Sequence, residues 1–271
     1  MPHLIDAGRR HFTDQKFVRN LDGTQHYNRL FVRCSAKDIT FKKVNFKWSI
    51  FDACYFRNCV FDSCNFEGCR FVNSNFRGSA FEGCIFDYTN FEKTHVDPDL
   101  LNTGCPSVEN LKLAFVRSLR MNFQALGDAA AVNRAIALEL EATEIHLKKS
   151  WKSPESYYRK KYKGWKRWLA GGQWFSFKVM SWVWGNGESP WKLLLTTIVF
   201  MGLMVIIHLF KTDVTTFAGL WETIGYVPQI FLGVENSPYG YGGGYLATIL
   251  IIRLILFGFF MSILIKRANR R

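Results

Sequence analysis

The sequence predicts a multi-domain membrane protein with a β-solenoid near its N-terminus, helices in the middle and an α-helical two-span domain at its C-terminus. Three observations lead to this fold class. Phenylalanine recurs every five residues from Phe41 to Phe91. Two apolar runs, 191–210 and 245–265, are each close to the ~20 residues that a helix needs to cross a bilayer. The 35 Lys and Arg residues outnumber the 22 Asp and Glu residues, and the excess lies beside those two runs.

The five-residue repeat is the clearest signal in the chain. Its large members are Phe41, Phe46, Phe51, Phe56, Phe61, Phe66, Phe71, Phe76, Phe81, Phe86 and Phe91. From the third repeat onward, the residue two positions before each ring, and before Val96, is small. These residues are Ser49, Cys54, Cys59, Cys64, Cys69, Ser74, Ser79, Cys84, Thr89 and Thr94. A period of five fits neither a helix nor a flat strand, so each unit is expected to turn one corner of a solenoid and to send two side chains inward.

These units resemble the pentapeptide-repeat family. The resemblance implies a right-handed, quadrilateral β-helix over residues 31–96, with residues 1–30 as an N-terminal segment or cap. It also implies that residues about 20 apart stack in columns. One such column would hold Phe31, Phe51, Phe71 and Phe91; others would pair Cys34 with Cys54 and Cys64 with Cys84.

Seven cysteines raise the question of a metal site. The chain has no CxxC pair and no His at ligand spacing, so we expect buried thiols that act as small hydrophobic residues, with no metal and no cofactor. Some members of the family imitate DNA, which requires an acidic surface. Residues 1–96 carry 14 basic and 10 acidic residues, which argues against that role here.

The middle of the chain is expected to be helical. Residues 97–150 predict a helical hairpin, broken at Gly127-Asp128, that caps the open end of the solenoid. Residues 151–190 form a basic, aromatic segment expected to lie on the membrane surface, because 148–192 hold 11 basic and 2 acidic residues and 151–191 hold seven of the nine tryptophans. The same charge excess is compatible with nucleic-acid binding, which the interleaved tryptophans disfavour.

The distribution of charge also predicts the topology. Lys211 is the only basic residue between the two apolar runs, whereas basic residues flank the start of the first run and the end of the second. The positive-inside rule then places both termini in the cytoplasm. Residues 1–20 lack the apolar stretch of a signal peptide. We therefore expect an inner or plasma membrane protein, and the family resemblance indicates a bacterial source.

The stretch between the spans is expected to re-enter the membrane. Residues 217–232 are apolar but interrupted by glycine and proline, and the loop 233–244 is rich in glycine. A third span would also place the basic C-terminus outside, against the charge rule. Irregular backbone at membrane depth is tolerated only where it is buried in protein or lines water, which favours a pore.

This order of elements in residues 191–271 resembles the two-transmembrane pore module of the potassium-channel-like superfamily. Thr223-Ile224-Gly225-Tyr226 is similar to the filter sequence of that superfamily. A second alignment makes 217–232 the pore helix and places the filter at Gly233, Val234, Glu235, Asn236, Ser237, Pro238, Tyr239 and Gly240. Neither alignment gives a standard potassium filter. The Gly187-Glu188-Ser189-Pro190 turn before the first span also belongs to this resemblance.

Three residues of the apolar region are individual candidates. Arg253 lies within the second span, where it must face a partner or water. One alternative is an ion pair with Glu222 that braces the re-entrant helix; another is a pore-facing guanidinium that favours anions. Glu235 would form a carboxylate ring at the outer mouth of a symmetric assembly. Gly258 is a candidate hinge or a site of close helix packing.

These observations favour a homo-oligomeric ion channel, expected to be tetrameric, whose solenoid assembles or gates the pore. Its partners would be the lipid bilayer, inorganic ions and further copies, with a possible cytosolic protein or ligand at the solenoid and no nucleic acid. The alternatives are a membrane-anchored interaction protein and a membrane-permeabilising effector. No catalytic constellation or phosphate-binding loop is present in the sequence, so an enzyme is not expected.

Overall fold

The computed structural model describes residues 8–212, 216–234 and 241–268, and the chain divides into two units, Met1–Lys163 and Gly164–Arg271. The strands, all in the first unit, are β1 (Arg10–Thr13), β2 (Lys16–Phe17), β3 (Leu21–Asp22), β4 (Arg29–Val32), β5 (Ser35–Lys37), β6 (Thr40–Lys42), β7 (Ile50–Asp52), β8 (Tyr55–Arg57), β9 (Val60–Asp62), β10 (Arg70–Val72), β11 (Ala80–Glu82) and β12 (Asn90–Glu92).

Helices follow the strands along the chain. The first unit contains α1 (Leu100–Thr103), α2 (Glu109–Ala125), α3 (Ala129–Lys152) and α4 (Ser156–Lys161). The second unit contains α5 (Trp165–Trp184), a short 3-10 turn (Gly185–Gly187), α6 (Pro190–Thr212), α7 (Phe217–Leu232) and α8 (Gly243–Ala268).

The strands stack into a four-sided solenoid. Three faces are parallel sheets, ordered β1-β4-β7-β10-β12, β3-β6-β9-β11 and β2-β5-β8. The fourth face consists of isolated parallel bridges that join Gln25, Asn45, Asn65 and Ile85 in turn. Phe31 pairs with Phe51, and Phe51 with Phe71, so residues one coil apart lie directly above one another, as the five-residue repeat predicts.

The phenylalanine rings form the core of the solenoid. Stacked rings in the Phe31 column lie 4.9, 5.0 and 4.8 Å apart between centroids, and those of Phe56 and Phe76 lie 5.1 Å apart. Ten central rings from Phe31 to Phe86 are almost completely inaccessible to solvent. Each ring therefore stabilises the folded solenoid by on the order of 1.5–3 kcal/mol, because its apolar surface is removed from water.

From Ser49 onward, most of the small residues two positions before the rings are hydrogen-bond donors as well as spacers. Ser74 Oγ lies 3.1 Å from the Phe51 carbonyl oxygen, and Cys54 Sγ lies 3.3 Å from that of Phe31. Cys64, Cys69, Ser79, Cys84 and Thr89 donate in the same way to the carbonyl 23 residues earlier. Burial raises the pKa of the Cys69 thiol, which keeps its proton in place for donation. The expectation that these thiols act only as hydrophobic residues was incomplete.

Every corner of the solenoid uses a left-handed backbone conformation. Two positions after each central residue from Phe31 to Phe91 the φ angle is positive, and most of these residues are not glycine: Arg33, Asp38, Lys43, Trp48, Ala53, Asn58, Ser63, Asn73, Tyr88 and Lys93. The corner N–H groups bond the next coil; Ala53 N donates to the Val72 carbonyl at 3.0 Å, for example. Repeated coil-to-coil bonding therefore outweighs a local conformation that disfavours most side chains.

The solenoid begins earlier than the boundary at residue 31 taken from the sequence. Strand β1 pairs with β4 from Arg10 onward, and β2 and β3 extend the other two sheets. The register of β1 against β4 joins Arg10 to Arg29, which is one residue short of the later spacing. That shorter coil, with Leu21 in place of a phenylalanine, removes the periodic signal from residues 10–30.

Helix α2 covers the last coil of the solenoid. The ring of Phe115 lies 5.5 Å from that of Phe86. Asn122 Oδ1 accepts from Thr94 N at 2.7 Å, and Asn122 Nδ2 donates to the Thr94 carbonyl at 2.7 Å. Ser118 Oγ likewise accepts from Phe91 N at 2.8 Å. These two side chains take the place of the next coil, because they satisfy strand N–H and C=O groups that would otherwise be buried without partners.

A cluster of ring side chains holds α4 against α3. His146 Nδ1 and Tyr158 Oη lie 3.1 Å apart, and Tyr162 Oη lies 3.5 Å from His146 Nε2. Burial, together with the positive charge of Lys161 and Arg117, holds the pKa of His146 below its ordinary value near 6.5. Burial also raises the pKa of Tyr158 to about 12. Both groups are therefore neutral near pH 7.

The predicted interfacial segment 151–190 does not form one element. Its first part ends α3 and forms α4 in the first unit, and the remainder forms α5 and the 3-10 turn in the second unit. The division falls after Lys163, and Gly164, with a φ angle of +51°, lies directly before α5.

Candidate functional site

Helices α6 and α8 are the long apolar elements of the second unit. They contain 23 and 26 residues, have mean hydropathies of 2.5 and 2.6, and bury 17% and 11% of their most apolar stretch. Both are long and apolar enough to cross a membrane. Their large side chains point away from the protein; the exposed ones include Leu195, Ile198, Val199, Phe210, Ile251, Leu254, Phe257 and Ile265. A core helix of a soluble protein would bury these side chains instead.

Helix α7 packs against both of these helices but is shorter. Its 16 residues correspond to ~24 Å, which is less than the ~30 Å of a bilayer core. Val227, Ile230 and Phe231 of α7 form a small core with Met204 and Ile249. The helix therefore has one packed face, while Trp221 and Leu232 are exposed.

The end of α7 carries the first residues of the predicted filter. Gly233 adopts the left-handed conformation with φ +75°, and Val234 N donates to the Gln229 carbonyl at 2.9 Å, as at a glycine-terminated helix end. The Val234 side chain is 76% exposed. The remaining filter candidates, Glu235, Asn236, Ser237, Pro238, Tyr239 and Gly240, lie outside the described residues.

The alternative filter sequence is helical. Thr223, Ile224, Gly225 and Tyr226 all lie within α7, and Thr223 Oγ1 donates to the Gly219 carbonyl at 2.8 Å. A helix directs its carbonyl groups along its own axis, so these four residues do not present a row of carbonyl oxygens to an ion. The structure thus disagrees with the first alignment.

Arg253 contacts the C-terminal end of α7. Its Nη1 atom lies 3.4 Å from the Phe231 carbonyl oxygen. A Cβ atom added to Gly233 would collide with the same guanidinium, so the absence of a side chain there makes room for Arg253. The last carbonyls of a helix carry partial negative charge, which the guanidinium partly neutralises.

The predicted ion pair between Arg253 and Glu222 is not formed within the described chain. Glu222 lies nine residues before Phe231 along α7, a rise of ~13 Å, and its side chain is exposed. Helix packing, which sets the level at which α8 crosses α7, therefore places Arg253 beside the end of α7 and away from its N-terminal half.

Helix α8 continues without interruption through Gly258. No atom lies within 4 Å of the position that a Cβ would occupy there, so this glycine does not serve close packing within the chain. Its role as a hinge stays a prediction.

A cluster around His208 joins the end of α6 to the residues just before α8. His208 Nδ1 and Tyr241 Oη share a hydrogen bond of 2.7 Å, and the Tyr241 and Tyr245 rings stack at 4.7 Å. Lys211 Nζ lies 3.9 Å from the centre of the Tyr241 ring. His208 is 4% exposed, so this cluster forms a buried contact between α6 and the residue two positions before α8. In the sequence, this cluster is indicated only by the position of His208 near the end of an apolar run.

Helix α5 exposes an aromatic face. Trp165, Trp168, Phe175 and Trp182 are 74%, 72%, 65% and 77% exposed, and their spacing places them on one side of the helix. The helix is anchored to α6 by Thr196 Oγ1, which donates to the Val183 carbonyl at 2.9 Å. Trp184 stacks on Phe259 at 4.1 Å, and Glu188 pairs with Lys266.

Within the described ranges, no group of three or more His, Cys, Asp or Glu side chains is placed to hold a metal ion. The cysteines there are free thiols.

Comparison with known proteins identifies the solenoid. Residues 31–104 match the model of the pentapeptide repeat region family. The solenoid is a pentapeptide-repeat domain. The match ends directly after α1, so it concerns the solenoid and that short helix and not the helices α2 to α8.

Two solved structures are similar to part of this chain. QnrB1, a plasmid-mediated fluoroquinolone resistance protein, is 22% identical, with 31% of this chain and 46% of that structure covered and a TM-score of 0.27. A pentapeptide repeat protein from the Arabidopsis thaliana thylakoid lumen is 13% identical, with 37% and 76% covered and a TM-score of 0.19. No curated protein matches the chain. These low scores carry no conclusion about function, and the assignment of the pentapeptide-repeat domain depends on the family match and on the strand register.

Proposed function

We propose that this protein is a homo-oligomeric ion channel of a bacterial inner or plasma membrane, with α6 and α8 as the two spans of each subunit. In this proposal α7 is the re-entrant helix and the pentapeptide-repeat domain lies in the cytoplasm with both termini. The observation that carries it is the combination of two long, outward-facing apolar helices with a third that packs between them and is too short to span.

The exposed apolar surface supports an assembly in lipid. Side chains such as Ile198, Leu254 and Phe257 have no partners within the unit that would remove them from water, and lipid or further copies would do so. Two spans cannot enclose a water-filled path alone, so a channel requires several subunits; the resemblance to the two-transmembrane pore module suggests four. The exposed tryptophans of α5 would lie in the headgroup region, as aromatic residues beside spans do.

The position of Arg253 leads to a prediction about the ion selectivity of the proposed channel. It lies near the middle of α8, where a charge costs about 2.5–3.5 kcal/mol even on the mild insertion scale. With no carboxylate beside it in the described chain, its guanidinium reduces the negative potential at the end of α7. A fixed positive charge at this depth would disfavour cations, so we expect the channel to prefer anions.

The test is reconstitution of the purified chain in liposomes, with separate measurement of potassium and chloride flux. We expect flux above that of empty liposomes and an oligomer in detergent. Arg253→Met should shift the reversal potential toward cation preference, whereas Arg267→Met, in the last turn of the same helix, is the matched control and should not. Glu222→Gln should leave the oligomer intact, since Glu222 does not pair with Arg253.

The second candidate function is a membrane-anchored interaction protein, supported by Arg57 and Arg77 of the solenoid, which have no carboxylate within ion-pair distance in the described part of the chain. In that case the reconstituted chain would carry no ions under any condition and would be monomeric in detergent. Those two results together would overturn the channel proposal.

A further inference from the structure

Several basic side chains of the solenoid are paired with carboxylates on an adjacent coil. Lys47 lies 2.7 Å from Glu67, Lys42 lies 3.9 Å from Asp62, and Arg70 lies 3.2 Å from Glu92. Arg33 and Asp14 pair at 2.7 Å at the first corner. Opposite charges one coil apart stabilise neighbouring strands, and like charges directly opposite destabilise them.

One column carries basic side chains on three successive coils, a longer run of like charge than the in-register pairs of Arg10 with Arg29 and of Asp62 with Glu82. Lys37, Arg57 and Arg77 occupy successive coils on the face formed by β2, β5 and β8; Lys37 pairs in register with Arg57, and the next coil continues at Arg77. Neighbouring strands are ~4.8 Å apart, so three cations lie along ~10 Å. We call Lys37, Arg57, Arg77 and the neighbouring Tyr55 and Asn75 the basic face.

The cations of the basic face lack strong intramolecular partners. Lys37 approaches Asp38 only at 3.9 Å, with both side chains more than 60% exposed. Arg57 Nη1 donates to Tyr55 Oη at 3.4 Å. In the described part of the chain, no carboxylate lies within ion-pair distance of Arg57 or Arg77. Asp97, which continues the column after Arg77, accepts instead from Gly78 N at 2.9 Å.

The other groups of this face are also donors. The Tyr55 hydroxyl accepts from Arg57, which leaves its own proton available, and Tyr55 is 42% exposed. Asn75 supplies a partly exposed amide on the adjacent position of the next coil. A surface that combines three cations with hydroxyl and amide donors, and that costs stability in the free protein, is complementary to an anion.

The size of the basic face favours a short anionic partner over a long or broad one. Its ~10 Å length matches three or four residues of an extended peptide at ~3.3 Å each. Proteins that bind nucleic acid through phosphates commonly make 6–10 such contacts, roughly twice or more what three cations offer. The adjacent faces carry Asp62 and Glu82 on one side and Asp52 and Glu92 on the other, so the excess of positive charge is confined to a narrow strip and does not extend over a surface as broad as a membrane contact.

We propose that the basic face binds a short acidic segment of a partner protein. Carboxylates of the segment pair with Arg57, Arg77 and Lys37, and the Tyr55 hydroxyl donates to one of them. This docking surface is independent of the channel proposal, because it requires only the solenoid.

The test uses the full-length protein in zwitterionic detergent and a fluorescein-labelled hexaglutamate peptide, with fluorescence anisotropy as the readout. We expect binding that weakens with added salt, and a loss of about tenfold or more in affinity for the Arg57→Gln/Arg77→Gln double variant. Lys47→Gln removes a paired cation from another face and is the matched control, with unchanged affinity expected.

Thermal unfolding of the charge-reversed variants separates a binding role of Arg57 from a structural one. If Arg57 served to stabilise the solenoid, Arg57→Glu would lower the Tm. Arg57→Glu restores the alternating pattern between Lys37 and Arg77, so its Tm should rise while hexaglutamate binding is lost. Lys47→Glu faces Glu67, so its Tm should fall.

Any of three results would overturn the proposal. The first is retention of hexaglutamate binding by the double variant, and the second is a lower Tm for Arg57→Glu. The third is tighter binding of a single-stranded oligonucleotide or of vesicles with anionic lipid, with the same sensitivity to the double variant, which would assign the face to nucleic acid or to lipid.

Discussion

The two units of this protein place the same kind of side chain in opposite surroundings. In the pentapeptide-repeat domain Phe56 is completely buried, whereas in α8 Phe257 is 61% exposed. The solenoid encloses its own apolar surface coil by coil. The long helices of the second unit contact each other through a small core and leave most of their apolar surface outside. The difference shows that the solenoid completes its core within one chain, whereas the long helices leave most of their apolar surface uncovered by that chain.

The largest expected effect tests this difference directly. Phe56→Ala removes a fully buried ring that stacks at 5.1 Å on Phe76, and should lower the free energy of unfolding of the solenoid by about 3–5 kcal/mol. Phe257→Ala, the control in the second unit, should change it by far less. Urea unfolding of the full chain in detergent, followed by the circular dichroism of the strands, measures both. Equal losses would mean that the two units do not differ in this way.

An intermediate effect tests how the solenoid ends. Asn122→Ala leaves the N–H and C=O groups of Thr94 without their partners. This change should lower the free energy of unfolding by about 1–3 kcal/mol. Asn122→Asp keeps the acceptor but loses the donor, so it should cost less than alanine near neutral pH. Gln124→Ala, at an exposed position of the same helix, provides the comparison in the same unfolding experiment. A cost for Asn122→Ala no greater than for Gln124→Ala would show that α2 does not act as the next coil.

The smallest expected effect is a pH dependence of the first unit. The folded-state pKa of His146 lies below its ordinary value near 6.5, so the unfolded chain binds this proton more readily. Stability should therefore be complete above pH 6.5 and should fall as the pH decreases toward the folded pKa, with a slope of at most ~1.4 kcal/mol per pH unit.

His146→Gln should reduce that slope, as measured by urea unfolding at several pH values, and His11→Gln, at an exposed strand position, is the control. His26 keeps part of the slope, because burial and the nearby Arg29 also lower its pKa. An unchanged slope in His146→Gln would show that the contact with Tyr158 is not sensitive to protonation.

Much of the first unit could be predicted from the sequence, because a repeat fixes its own register. Once phenylalanine recurs every five residues in a four-sided coil, Phe31, Phe51 and Phe71 must stack, and they do. The donor role of the Ser74 column was not predicted, although every residue from Ser49 to Thr94 at that position bears a hydroxyl or a thiol. The left-handed corners were not visible, because residues such as Trp48 and Lys43 do not favour that conformation on their own.

Less of the candidate site could be predicted, since contacts between helices depend on how they cross. Arg253 was recognisable as an unusual charge in an apolar helix, but its approach to Phe231 and Gly233 depends on the level at which α8 meets α7. The same limit applies to Asn122, whose polarity within a helix does not indicate that it completes a solenoid.

By itself, the sequence determined the solenoid and its stacked columns, and the length and apolar character of α6 and α8. Both follow from one-dimensional patterns, a period and a run, that have few structural solutions. The tertiary structure alone decided where the solenoid begins, that Asn122 and Ser118 close it, and that Arg253 lies beside the end of α7 and not beside Glu222. These are contacts between segments far apart in the chain, and they depend on packing geometry that no local pattern encodes.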